Sequence, residues 1–137
     1  MRKMKLLLPD LGLLWLRVLM GGGITYHGYG KVFGGKIDKF AEGVASMGFP
    51  TPELFAWAAA LSEFLGGICI ALGLFTRPAA LCIFATMVVA AFVKHADDPF
   101  KRKELALAYW TISGALIGLG AGKFSLDCWI QKKRRKQ

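Results

Sequence analysis

The stretch 105-LALAYWTISGALIGLGAG-122 carries no charged side chain over 18 positions. A helix that crosses a bilayer needs roughly 20 mostly apolar residues, because its backbone polar groups must be satisfied within the segment. Three further runs share this character. Residues 78–93 are uncharged, 54–76 are interrupted only by Glu63, and 11–30 only by Arg17 and His27. A soluble helix buried on every side reads similarly, but four of them would leave too few residues for a soluble exterior. The expected fold is therefore all-α: an integral membrane four-helix bundle, antiparallel, with helices at about 11–33, 53–75, 77–94 and 99–122. One domain, 11–127, lies between a short N-terminus, 1–10, and a basic tail, 128–137.

Charge placement agrees. The 137-residue chain is 55% hydrophobic, yet 18 Lys and Arg against 9 Asp and Glu give a net charge of +9. Arg2, Lys3, Lys5, Lys132, Lys133, Arg134, Arg135 and Lys136 stand at the two ends. The rest of the chain is nearly neutral. This distribution excludes a disordered chain, a disulfide-stapled secreted domain and a nucleic-acid-binding fold with basic residues spread over one face. Arg17 falls where the apolar core of a cleaved signal peptide would lie, so an uncleaved first helix is expected. Four spans put both termini on one side. That side, counting Arg77 and Lys123, holds more basic residues than the other, and five of them form one unbroken run. The positive-inside rule then places both termini in the cytoplasm and the chain in the cell's inner membrane. The run Lys132 to Lys136 either holds anionic lipid or only enforces topology.

Local signals set the boundaries. Thr51-Pro52 and Asp98-Pro99 read as N-caps followed by Pro at the first helical position. The short connection Gly73 to Pro78 makes the second and third helices antiparallel neighbours. Ile37, Phe40, Ala41 and Val44 follow helical spacing opposite Asp38, Lys39, Glu42 and Ser46. They predict a short amphipathic helix on the bilayer surface or over the mouth of the bundle. Gly114, Gly118 and Gly122 read as a small-residue packing ridge, with Gly21 to Gly23, Gly66 and Gly67 allowing similar approach.

Ionisable groups inside a membrane are costly, and each is a functional candidate. Counting rises along two antiparallel helices brings Arg17 and Glu63 within reach of each other. That pair is either functional or a lock on helix register. His27 and Lys31 share a face near the outer end of the first helix, where His27 is suited to proton relay. His95, Asp97 and Asp98 cluster in the outer loop without the spacing of a metal site. Glu104 is placed to meet His95 or Lys31 at the outer mouth. Cys69, Cys82 and Cys128 show no CxxC spacing, and the first two read as small core residues. There is no phosphate-binding glycine loop, no HExxH and no CxxCH, so no metal and no covalent cofactor is expected.

Three stretches resemble one family in order and spacing. They are 26-YHGYGKVFG-34, then 47-MGFP-50 running through 60-ALSE-63 to 73-GLFTR-77, and finally 122-GKFSLD-127. Together they resemble the DoxX family of small four-helix bacterial membrane proteins. The resemblance implies a membrane bundle with Arg17, His27, Lys31, Glu63, Arg77 and Asp127 as family-type polar positions. It also implies redox-associated company. Relatives include a subunit of a thiosulfate:quinone oxidoreductase and a protein that joins redox enzymes in a membrane complex. Three functions follow from this reading. The first is a redox-associated subunit offering a quinone or quinol site, with Arg17 and Glu63 as floor and His27 and Lys31 as mouth. The second is a non-enzymatic scaffold or assembly factor. The third is a small-solute or proton-coupled transporter using Glu63. The chain carries no electron carrier of its own, so the first requires partner subunits. The bilayer is expected as a partner, with other subunits or a homo-oligomer.

Overall fold

A computed structural model describes residues 2–136, with side chains described over 7–136. The side chains of Arg2, Lys3 and Lys5 lie outside the described residues. The described chain is all-helical. α1 spans Arg2–Val32, α2 Ile37–Ser46, α3 Pro52–Leu72 and α4 Thr76–Val89. A π-helical turn at Ala90–Lys94 extends α4, followed by α5 at Phe100–Leu119 and α6 at Leu126–Arg134.

Among the described residues, three helices are long and apolar enough to cross a membrane: Leu7–Val32, Pro52–Leu72 and Thr76–Lys94. The fourth expected span falls short for two reasons. Lys101, Arg102, Lys103 and Glu104 occupy the start of α5, and Gly120, at φ +76°, ends it. Only 105–119 of the opening stretch is then both helical and uncharged. The first helix begins earlier than expected, and the basic tail is itself helical as α6.

Neighbours in sequence pack as neighbours in space. α1 lies on α3, α3 on α4, and α4 on α5, while α2 lies across α3 at one end. The core is small: Met20, Ile24, Ile70, Ala80, Ile83, Met87 and Leu116. Large apolar side chains face outward instead, among them Trp15, Tyr26, Leu54, Leu81, Leu105 and Leu119. A water-soluble protein rarely shows so much contiguous apolar surface, whereas a lipid-facing one must.

Close approach of α1 and α3 depends on glycine. A Cβ on Gly21 would lie 2.6 Å from the Gly67 carbonyl oxygen, and one on Gly28 would lie 2.7 Å from Phe64 Cα. The expected ridge on the last long helix is not formed. Nothing lies within 4 Å of a Cβ placed on Gly118, and Gly122 sits in the loop beyond the helix at φ +75°. Gly114 meets the Phe84 ring, and Gly122 meets Leu13 and Asp10 of α1 from its loop.

Two caps also differ from expectation. Thr51 adopts a left-handed conformation and makes no side-chain cap bond, although Pro52 does open α3. Pro99 takes the cap position of α5, and Asp98 turns away to bond His95. The tight α3–α4 connection is as expected. Gly73 and Phe75 both take left-handed φ there, and the helices run antiparallel.

Candidate functional site

The antiparallel register of α1 and α3 decides which charges meet. Gly21 packs on Gly67 and Ala71, and Gly28 on Glu63 and Phe64. Glu63 therefore lies across from Gly28, one helical turn from Lys31. Arg17 lies across from Gly73 instead. These two levels are ten or eleven residues apart, or roughly 16 Å along the axis. The expected Arg17–Glu63 pair is thus not formed. The error came from measuring both residues from the ends of the uncharged runs, which are not the ends of the helices.

At one end Glu63 is held by Lys31. The ammonium lies 2.7 Å from Oε1 and 2.6 Å from Oε2, so it spans the carboxylate. The Glu63 side chain is 4% exposed and the Lys31 side chain 25%. The Phe40 ring of α2 covers the ammonium at 4.3 Å from its centroid, a cation–π contact.

This pair lines a cavity of about 550 Å³ bounded by α1, α2, α3, α4 with its π-helical turn, and the start of α5. Most of its wall is apolar: Ile24, Val44, Met47, Phe49, Phe55, Met87 and Leu105 among others. The polar groups are few. Glu63, Lys31 and His27 share the wall with Ser62, Thr86 and Tyr109, and Lys94, His95 and Arg102 complete it. His27 meets Tyr26 and Tyr109 edge-on, each at 6.2 Å between centroids. Cys82, expected in the core, is exposed and lines this cavity.

The sequence puts Glu63 with Arg17 at the floor, His27 with Lys31 at the mouth and His95 with Glu104 at the outer mouth; the cavity brings together Glu63, His27, Lys31 and His95, without Arg17 or Glu104. The sequence does not mark Phe40 or Tyr109 as site residues. In the sequence, Phe40 shows only as part of the apolar face of the short helix, and Tyr109 carries no signal beyond its place in an apolar run. The α2 helix lies over this cavity, with Phe40 and Val44 in its wall. His95 Nδ1 and Asp98 Oδ2 are 2.6 Å apart, and Arg102 lies 3.5 Å from Asp98. The bond from His95, helped by the charge of Arg102, holds the Asp98 carboxyl below the usual carboxylate range. Among the described residues Glu104 pairs with neither His95 nor Lys31. It is exposed.

Arg17, Arg77 and Asp127 belong to the opposite end. Fully buried Arg17 donates to the carbonyls of Ile70 at 3.2 Å, Ala71 at 3.4 Å and Phe124 at 2.5 Å. It thereby satisfies the last carbonyls of α3 and ties down the segment before α6. The Asp127 carboxylate accepts from the Phe75 and Thr76 N–H groups at 2.8 and 3.0 Å, the orphan donors at the start of α4. Its own N–H donates to the Gly73 carbonyl at 2.8 Å. Arg77 donates to the Gly118 carbonyl at 3.3 Å. These residues cap and fasten helix ends. Arg17→Met is expected to lower the free energy of unfolding by roughly 3 kcal/mol, because a buried carbonyl without its donor costs about 1–3 kcal/mol. Unfolding in mixed micelles titrated with a denaturing detergent measures this.

The sequence pattern of the DoxX family matches residues 12–96. Inner membrane protein YqjF of Escherichia coli (strain K12) is 32% identical over 133 residues, covering 92% of this chain and 97% of that protein. Inner membrane protein YphA of the same organism is 35% identical over 92 residues, covering 66% of this chain. The chain spans about half the length of YphA, the match covering 55% of it. No solved structure matches. The family pattern covers more than half the chain, and one relative aligns over almost its full length: the chain belongs to the DoxX family of membrane proteins.

Proposed function

We propose that this chain is an inner-membrane, redox-associated subunit whose cavity holds a membrane quinone or quinol. Both termini lie in the cytoplasm in this reading. α5 serves as a fourth span, with its charged first turn among the lipid headgroups. The observation that carries the reading is the Lys31–Glu63 pair, set in the wall of an apolar cavity. A site of a few hundred Å³ with a small number of placed polar groups suits a flat, mostly apolar ligand.

A bound quinone supplies two-electron, two-proton chemistry. This chain's residues would hold and protonate it. The Lys31 ammonium would donate a hydrogen bond to a ring oxygen, and Glu63 would supply a proton to that oxygen on reduction and take it back on oxidation. His27, in the same cavity wall and edge-on to Tyr109, would exchange that proton with the outside. The floor of the site is Lys31 and Glu63 rather than Arg17 and Glu63. Electrons come from a partner subunit, since the chain has no carrier of its own.

The test is the quinone content of protein purified in mild detergent, measured after solvent extraction. The double variant Lys31→Gln/Glu63→Gln removes both charges without stranding either. It is expected to lose about tenfold of the bound quinone, the loss of one charge-assisted bond, while still eluting as a folded species. Equal quinone in wild type and variant would sink the reading. A quinone-free protein that carries a stable partner enzyme would favour the scaffold function.

A further inference from the structure

The C-terminal basic run forms a structured surface. Ser125 caps α6, accepting from the Cys128 N–H at 3.2 Å. The residues just before and at the start of α6 are fastened to the bundle at several points. The Phe124 carbonyl takes Arg17, Asp127 takes the start of α4, and Lys123 pairs with Asp10 at 3.0 Å. α6 therefore leaves the bundle in a fixed direction, at the end where α1 begins, α3 stops and α4 starts.

That end carries two features of a membrane interface. Aromatic and aliphatic side chains stand exposed there: Phe75 at 66%, Trp129 at 61%, Leu119 at 65% and Phe124 at 42%. Beside them run Lys132, Lys133, Arg134, Arg135 and Lys136, all exposed, with Lys133 over the Trp129 ring at 5.5 Å. Next to α6 lies a polar hollow of about 470 Å³, lined by Arg77, Lys123, Gly120 and Gln131 among others. The two acidic residues of that hollow, Asp10 and Asp127, are already engaged, by Lys123 and by the N–H groups of α4. With Lys123 paired to Asp10, the charge lining the hollow without a carboxylate partner is that of Arg77, and the exposed basic run of α6 lies beside it.

We propose that α6 and this hollow form a binding site for the phosphate headgroup of an anionic phospholipid. Trp129, Phe75 and Phe124 sit at acyl-chain level, and the hollow with Arg77 receives the headgroup. An exposed basic helix beside an aromatic belt, at the ends of three apolar helices, offers charge and depth that match such a lipid. This holds whatever the larger cavity binds.

The test is lipid retention. The full chain is reconstituted in nanodiscs of phosphatidylcholine with a minor share of phosphatidylglycerol, then extracted in mild detergent and weighed by native mass spectrometry. Wild type is expected to keep phosphatidylglycerol over phosphatidylcholine. Replacing Lys132, Lys133, Arg134, Arg135 and Lys136 together by Gln is expected to cut that retention by about tenfold or more, since each basic residue contributes at the surface. Arg77→Gln is expected to cut it about threefold, the share of one screened surface charge, with Arg77→Lys, which keeps the charge, retaining lipid as wild type. The five tail side chains are exposed and make no hydrogen bond to the bundle among the described residues, so that variant is expected to fold. Equal retention of the two lipids overturns the proposal, as does unchanged retention in the five-residue variant. Binding of inorganic phosphate to the wild type with no lipid preference also overturns it.

Discussion

Gly28→Val is expected to abolish the folded bundle. A Cβ at this position would stand 2.7 Å from Phe64 Cα and 2.8 Å from the Glu63 carbonyl carbon, all backbone. No side-chain rotation relieves such contacts, so α1 and α3 must separate. Overpacking inside a core that can adjust costs about 1–3 kcal/mol, and a backbone clash at the main helix–helix seam exceeds that range. Separation also moves Lys31 away from Glu63, because the two are held by the same seam. The expected outcome is a protein that aggregates on extraction and loses its sharp unfolding transition. Gly22→Val, six residues earlier on a face with nothing within 4 Å, is the control and is expected to behave as wild type. A well-folded Gly28→Val protein would show that the seam tolerates a wider spacing.

Lys31→Met is expected to have the next largest effect. It leaves a carboxylate that is 4% exposed without its counter-charge. Breaking a buried pair from one side typically costs about 3–5 kcal/mol, because an uncompensated charge remains. Glu63→Met is expected to cost less, since Lys31 is partly exposed and can turn toward water. The double variant Lys31→Met/Glu63→Met is expected to recover most of the loss, as apolar replacements of buried pairs often do. A double-mutant cycle on denaturant-induced unfolding measures the coupling. Full recovery of stability without quinone retention would assign the pair to ligand binding. A stability loss in the double variant equal to that of Lys31→Met alone would contradict the pairing.

The residues show why part of this structure was legible from sequence. Glu63 announces itself because a carboxylate in an apolar run needs a reason. The short α2 helix announces itself by spacing, and its observed bounds, Ile37–Ser46, fall on the predicted stripe. What the sequence hid was depth. Helix α1 begins at Arg2 and not near Leu11, so positions counted from the uncharged run were wrong for its partner. The choice between Arg17 and Lys31 as partner of Glu63 turns on such an offset. The choice of packing glycines turns on the same kind of information. Gly21 and Gly67 meet as expected and Gly28 joins them at the seam, whereas in the more regular series at 114, 118 and 122 Gly118 faces open space and Gly122 lies beyond the helix. The use of Asp127 was hidden too, since a cap formed across 51 residues of sequence leaves no local signal.

The two ends of the bundle are held by forces of different kinds. At the end with Arg17 and Asp127, hydrogen bonds to backbone fix direction as well as distance. At the other end, α2 is joined through Gly35 at φ +65° and Gly48 at φ +80°. It rests on its neighbours through apolar packing and the Phe40–Lys31 contact. Apolar contact is non-directional, so many placements of α2 have nearly the same energy. The consequence concerns selectivity. Under the proposed function, a ligand's polar end would have to match one fixed pair of charges, while its length and bulk would meet a cover held by non-directional contacts. Such a site is strict about chemistry and lenient about size, and it would accept a series of homologous ligands that share a head and differ in their tails.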